Sequence, residues 1–222
     1  VDAQGLRSAY RALYEAYGQQ HWWPAQSPFE VMVGAVLTQN TAWSNVERAL
    51  ARLGECIELK AEAILGLAPE VLADRIRPVG YFNVKARRLR AFCAAYLAES
   101  GLDGLSGLAT ETLRRRLLSI HGVGPETADD MLLYAFHRPV FVVDAYTRRI
   151  FARLGLLTGT EGYESIRRGF EAALGPDAPL YNEYHALIVR HGKEVCRSRP
   201  RCAGCCLRDQ CSAAGESTLI RK

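Results

Sequence analysis

Apolar residues recur every three or four positions along most of the chain, and one short stretch breaks that rhythm. Leu6, Tyr10, Leu13 and Tyr17 fall on one stripe and predict an amphipathic helix over 6–17. Ser27-Pro28-Phe29-Glu30 carries a capping box with proline at N1. The run Val31 to Leu37 behind it is nearly all apolar, the pattern of a central core helix. That helix runs into a polar patch, Thr38-Gln39-Asn40-Thr41. Periodicity predicts further helices at about 44–53, 58–66, 69–76, 83–98, 110–119, 145–155, 162–173 and 179–192. The exception is Pro139 to Val143, which reads as extended backbone. Alternation of period two is otherwise almost absent, so the expected fold class is all-α. No internal repeat interrupts it.

The pattern turns chemical between 117 and 148, LLSIHGVGPETADDMLLYAFHRPVFVVDAYTR. Two helical segments flank the tight turn His121-Gly122-Val123-Gly124, and Pro125 stands at N1 of the second. Ala128, Met131, Leu132 and Ala135 share one face of it. The glycines can adopt positive φ or admit a close neighbour. N–H groups at such a helix start form an anion site that suits a phosphate. Two readings are open: an ordinary helix–turn–helix corner, or a helix-hairpin-helix that grips DNA through Gly122, Val123 and Gly124 and presents an acid. Asp144 stands twenty residues past Gly124, where the extended run meets a helix with Tyr146, Ile150 and Leu154 on one face. It is either an N-cap or a catalytic carboxylate.

A length of 222 residues suits one large or two small domains, and 49% hydrophobic content is that of a globular chain with a core. No apolar run reaches membrane-spanning length and no signal-peptide pattern opens the chain, so a cytoplasmic location is expected. The net charge is only +4, but the arginines crowd at 87–90, 114–116, 148–153 and 197–201. Such clusters are a solvated face or a surface that touches phosphates; Arg148, Arg197 and Arg199 are the candidates for contacts with DNA. Cys56 and Cys93 fall in helix-like segments and read as buried thiols. The other cysteines form Cys196-x5-Cys202-x2-Cys205-x5-Cys211, with Cys206 extra. Without signs of secretion this is a metal site and not a disulfide framework. Zinc usually takes two separated short knuckles, whereas one compact four-thiolate loop suits a [4Fe–4S] cubane. Both metals remain open on spacing alone.

GVGPETADDMLLYAF followed by PVFVVDAYTRRI resembles the helix-hairpin-helix and Asp-bearing loop of the endonuclease III superfamily of DNA glycosylases. The cysteine loop resembles that family's cluster motif, C-x6-C-x2-C-x5-C, and is one residue short in its first spacing. The resemblance implies two helical lobes with DNA across a cleft: residues 27–138 ending in the hairpin, and 1–26 with 139–222 carrying the cluster loop, 196–211. It implies Cys196, Cys202, Cys205 and Cys211 as ligands of a structural [4Fe–4S] cluster, with Cys206 as a rival to Cys205 that the x5 spacing disfavours. It further implies a monomer, a monovalent cation at the hairpin carbonyls, and Asp144 as the acid that stabilises charge at C1′.

WWP, VGAVLTQNTAW and the hairpin with Glu126 resemble the 3-methyladenine DNA glycosylase III branch. There the implied base pocket takes Trp22, Trp23, Pro24 and Trp43 as walls, with Lys193 at its edge. A flipped, cationic alkylpurine from double-stranded DNA would stack on those indoles. Anchoring a loop is the alternative role for the tryptophans, and a plain surface position the alternative for Lys193. Gln39 or Asn40 would fill the gap left in the duplex. In the bifunctional branch a lysine stands two residues past the second hairpin glycine; here that position is Glu126, which forms no imine and otherwise serves as a first-turn acid. The expected activity is therefore a monofunctional alkylpurine glycosylase. The rivals are a glycosylase for uracil, mismatched thymine or an oxidised pyrimidine, a non-catalytic helix-hairpin-helix DNA-binding protein, and a redox iron–sulfur protein.

Overall fold

The structure, a computed structural model, describes residues 1–214. Among the described residues there is no strand, and no helix is long and apolar enough to cross a membrane. The chain forms two compact units, one of Trp23–Arg138 and one of Val1–Trp22 with the chain from Pro139 onward.

In the unit Trp23–Arg138 the core helix is α2, Pro28–Leu37, capped by Ser27 Oγ, which accepts from Glu30 N at 3.2 Å. Every residue from Val31 to Leu37 is buried, so α2 is apolar all round and not striped. Against it pack α3 (Trp43–Gly54) and α6 (Phe82–Ala98), and α4 (Ala61–Gly66) and α5 (Pro69–Arg75) pack on α6. The chain then forms α7 (Gly101–Ser106), α8 (Thr110–Leu118) and α9 (Pro125–Asp130). Periodicity misses α7, because a six-residue helix whose buried residue is Leu105 carries no repeat. Its start is set instead by Ser100 and Gly101, both in the left-handed region. Past Asp130 the helix widens into a π-turn, Met131–Ala135, closed by Phe136 N on Met131 O at 3.2 Å. Lys85 of α6 is 2% exposed and donates to Leu37 O at 2.9 Å and Val79 O at 2.8 Å. It thereby satisfies a carbonyl at the end of α2 just before the polar patch. Cys56 is exposed beyond the end of α3, not buried as its helix-like setting predicts; Cys93 is buried, which pushes its thiol up to about 12.

The second unit holds α1 (Ala3–Tyr17), α10 (Ala145–Arg153), α11 (Tyr163–Leu174) and α12 (Ala178–Glu194). Residues 140–143 are buried without forming a strand ladder. A lone extended segment needs other partners for its backbone. Glu171 supplies one, accepting from Phe141 N at 2.9 Å while Arg167 donates to the same carboxylate. Phe141 is gripped by Phe170, Tyr181 and Tyr184. This clamp fixes the run that leads into Asp144.

Candidate functional site

The hairpin lies between α8 and α9. Gly122 sits at φ +87, and a Cβ there would collide with the Arg88 side chain. Gly124 is extended, with φ −93 and ψ 178, so only one of the two glycines needs the left-handed region. A Cβ on Gly124 would meet nothing within 4 Å, which leaves an open approach to the start of α9. Glu126 is exposed in the first turn. Gln39 belongs to this turn and is not a free probe. Its Nε2 donates to Gly122 O at 2.9 Å and to Thr127 Oγ1 at 3.0 Å, and its Oε1 accepts from Arg88 Nη1. Asn40, by contrast, is exposed at φ +54.

Asp144 caps α10. Its Oδ1 accepts from Thr147 N at 2.7 Å and from Thr147 Oγ1 at 2.8 Å. Its Oδ2 lies 3.7 Å from His185 Nε2, an ion-pair distance beyond hydrogen-bond range. Burial pushes the carboxyl up, but His185 and the two Thr147 contacts together outweigh it and hold it below the usual carboxylate range. One oxygen is thus committed to the helix and the other stands beside an imidazole. The Asp-x-x-Thr spacing was a legible capping signal; His185, forty-one residues on, had none.

The tryptophans divide between the units. Trp22 is half-buried, with exposed Lys193 Nζ 5.9 Å from its ring centroid, a cation–π distance. Trp23 and Trp43 meet edge to face at 4.9 Å, and Trp23 lies 5.1 Å from Tyr134. Trp43 Nε1 donates to Glu47 Oε1 at 2.9 Å. Gly34 makes room for this pair: a Cβ there would stand 3.2 Å from Trp23 and 3.3 Å from Trp43. Pro24 is exposed. Tyr134 joins the aromatic group without any signal in its sequence surroundings.

Cys196, Cys202, Cys205 and Cys211 line a cavity of about 220 Å³, and Cys206 is not among its lining residues. Among the described residues no group of three His, Cys, Asp or Glu side chains is placed to hold a metal ion. Arg153 donates Nη1 to Cys196 Sγ at 3.2 Å and to Arg197 O at 2.6 Å. Arg149 donates to Cys196 O at 2.8 Å, and Arg197 Nε to Lys193 O at 2.6 Å. Arg148 Nη1 donates to Glu161 O at 2.7 Å, so a contact with phosphate has to come from its remaining N–H groups. Several of the clustered arginines therefore tie loops to helices, while Arg199 and Arg201 are exposed.

Two helices around a glycine turn, an acid at the start of a later helix and a four-cysteine loop define a helix-hairpin-helix protein of the kind that handles DNA. Residues 33–176 match the model of the HhH-GPD superfamily base excision DNA repair proteins. The chain is 45% identical over 205 residues to a Methanocaldococcus jannaschii protein provisionally named a DNA repair glycosylase, covering 91% of this chain and 93% of that one. It is 31% identical over 185 residues to endonuclease III of Sulfolobus acidocaldarius, covering 82% and 81%. Among solved structures, H. pylori 3-methyladenine DNA glycosylase bound to 1,N6-ethenoadenine matches at TM-score 0.74 and 28% identity, over 87% of this chain and 98% of that one. A non-covalent endonuclease III–DNA complex shares the fold at TM-score 0.85 and 21% identity, over 99% of each chain. The chain belongs to the HhH-GPD superfamily of base excision DNA repair proteins.

Proposed function

We propose that the protein is a monofunctional DNA glycosylase that releases alkylated purines such as 3-methyladenine from double-stranded DNA. The observation that carries the substrate class is the aromatic group of Trp23, Trp43 and Tyr134, seated on Gly34. An alkylated purine is cationic and already a good leaving group, so indole faces attract it without reading a normal base edge. The 28% identity to an enzyme named for 3-methyladenine supports the same reading. The 31% identity to an endonuclease III favours a rival base. Incubation with methylated, uracil-containing and oxidised-pyrimidine DNA, with mass identification of the released bases, decides between them. Trp43→Ala should weaken 3-methyladenine excision by about 1–3 kcal/mol, the scale of one stacking face, with the thermal transition kept. Collapse of that transition would make the indole an anchor.

In this reading Gly122–Gly124 bind a phosphate beside the lesion, and Asn40 fills the gap left by the flipped base. Asp144 Oδ2 stabilises the positive charge that builds on the sugar as the glycosidic bond breaks. The base leaves with the bonding electrons. Water adds to C1′, and its proton passes to the carboxylate. The hairpin supplies no lysine nucleophile. Glu126 occupies the hairpin position, and Lys85 is 2% exposed with donors on two carbonyls. The expected product is an intact abasic site, with no borohydride-trapped protein–DNA adduct. Efficient trapping that one lysine mutation abolishes would overturn the monofunctional assignment.

The cysteine cavity suits a [4Fe–4S] cluster held by Cys196, Cys202, Cys205 and Cys211, since all four line it and Cys206 does not. Bound there, the cluster would supply a crosslink that holds the loop bearing Arg197 and Arg199 in shape.

A further inference from the structure

The Cys205 side of the cavity carries polar groups that neither base release nor ligation uses. His191 is 1% exposed. Its Nδ1 stands 2.8 Å from Tyr17 Oη, and its Nε2 stands 3.6 Å from Cys205 Sγ. The Arg190 guanidinium covers the Tyr17 ring at 4.7 Å. Tyr17 ends α1 and His191 lies near the end of α12, so three segments distant in sequence meet at one imidazole.

Counting protons gives the chain a direction. A thiolate that ligates iron has no proton and only accepts. His191 Nε2 must then carry the ring proton, and Nδ1 is a lone pair that accepts from Tyr17.

We propose that His191 donates a hydrogen bond to the Cys205 thiolate, with Tyr17 fixing its tautomer, and that this relay raises the cluster's reduction potential. The inference rests on reading the four-cysteine cavity as a [4Fe–4S] site. A donor to sulfur draws negative charge away from the cluster and favours its reduced form. His191 acts as a positioning and tuning residue, remote from the sugar chemistry.

The test uses the full chain purified without oxygen, with iron content, visible absorption and reduction potential as readouts. Cys206→Ser should keep the iron and Cys205→Ser should lose it. His191→Leu should keep iron while the reduction equilibrium falls about tenfold, about 59 mV for one electron. His191→Gln, which can still donate, should recover most of that shift. Tyr17→Phe should move the potential in the same direction as His191→Leu, and it decides the matter if the leucine variant does not fold. An unchanged potential in Tyr17→Phe and in any folded His191→Leu, or iron lost with Cys206→Ser and kept with Cys205→Ser, overturns the inference. Wild-type protein without iron overturns the cluster reading itself and this inference with it, whereas iron-loaded protein with indifferent variants overturns the relay alone.

Discussion

Asp144→Asn should lower base release at least about a hundredfold, the scale of one preorganised electrostatic group, and leave the protein folded. The two expectations separate because Asp144 has two oxygens with two neighbours. Oδ1 caps α10 through Thr147, and an asparagine carbonyl caps a helix as well as a carboxylate does. What the substitution removes is the negative charge on Oδ2, beside His185. Single-turnover base release from methylated DNA measures the loss, and circular dichroism with heating measures the fold. Asp144→Ala should lose the same activity and also about 1 kcal/mol of stability, because the cap goes with the charge. Full activity in Asp144→Asn would reduce the residue to a cap and favour a DNA-binding protein without catalysis.

The pH dependence follows from the same geometry. The folded carboxyl titrates below its unfolded value. Its contribution to stability is therefore complete above the unfolded pKa and is lost as the pH falls through the folded one. The catalytic contribution has the same sign, because the ionised form is the one that stabilises the sugar cation. Base release should hold level from neutrality down to the ordinary carboxylate range, as far as Asp144 controls it, and fall below that range. A decline that begins near neutrality would assign the controlling ionisation to another group.

Periodicity located the long helices because each buries one stripe, as α1 does with Leu6, Ala9 and Leu13. It failed where burial has no stripe. The turn Met131–Ala135 is buried on all its residues and takes π geometry, and α7 is too short to repeat. The glycine turn, Asp144 and the cysteine spacing were legible because their chemistry is local in sequence. Partnerships made across the fold were not. Gln39 reads as a polar residue on an exposed patch, yet its amide is fastened to Gly122 and Thr127, more than eighty residues away. Arg114 reads as one of three basic residues on a helix face, yet it is buried where its two neighbours are exposed. Charge clusters in sequence do not reveal which member turns inward.

Breaking the Arg114–Asp129 pair should be the most damaging single change to the unit Trp23–Arg138. Arg114 Nε and Nη2 donate to Asp129 Oδ1 and Oδ2 at 2.6 and 3.0 Å, a two-bond fork between α8 and α9. Their side chains are 8% and 0% exposed, so water does not replace a lost partner. Asp129→Ala takes the two-bond partner from a buried guanidinium, and breaking a buried pair costs about 3–5 kcal/mol. At roughly 2–4 °C per kcal/mol for a chain of this size, the melting temperature should fall by about 6–20 °C. Removing both charges is a different experiment. Arg114→Met with Asp129→Leu exchanges the pair for apolar volume and should recover most of the loss, because the desolvation cost disappears with the attraction. The pair also joins the two helices that present Gly122–Gly124, so affinity for an abasic duplex should drop in Asp129→Ala even below its melting point. It should return in the double variant if the pair serves only to hold the hairpin together. A double variant that is stable yet still binds DNA poorly would mean that the fork sets the hairpin's geometry in a way apolar packing does not reproduce. A single variant that melts within about 2 °C of wild type, less than 1 kcal/mol on the same scale, would show that the fork contributes little.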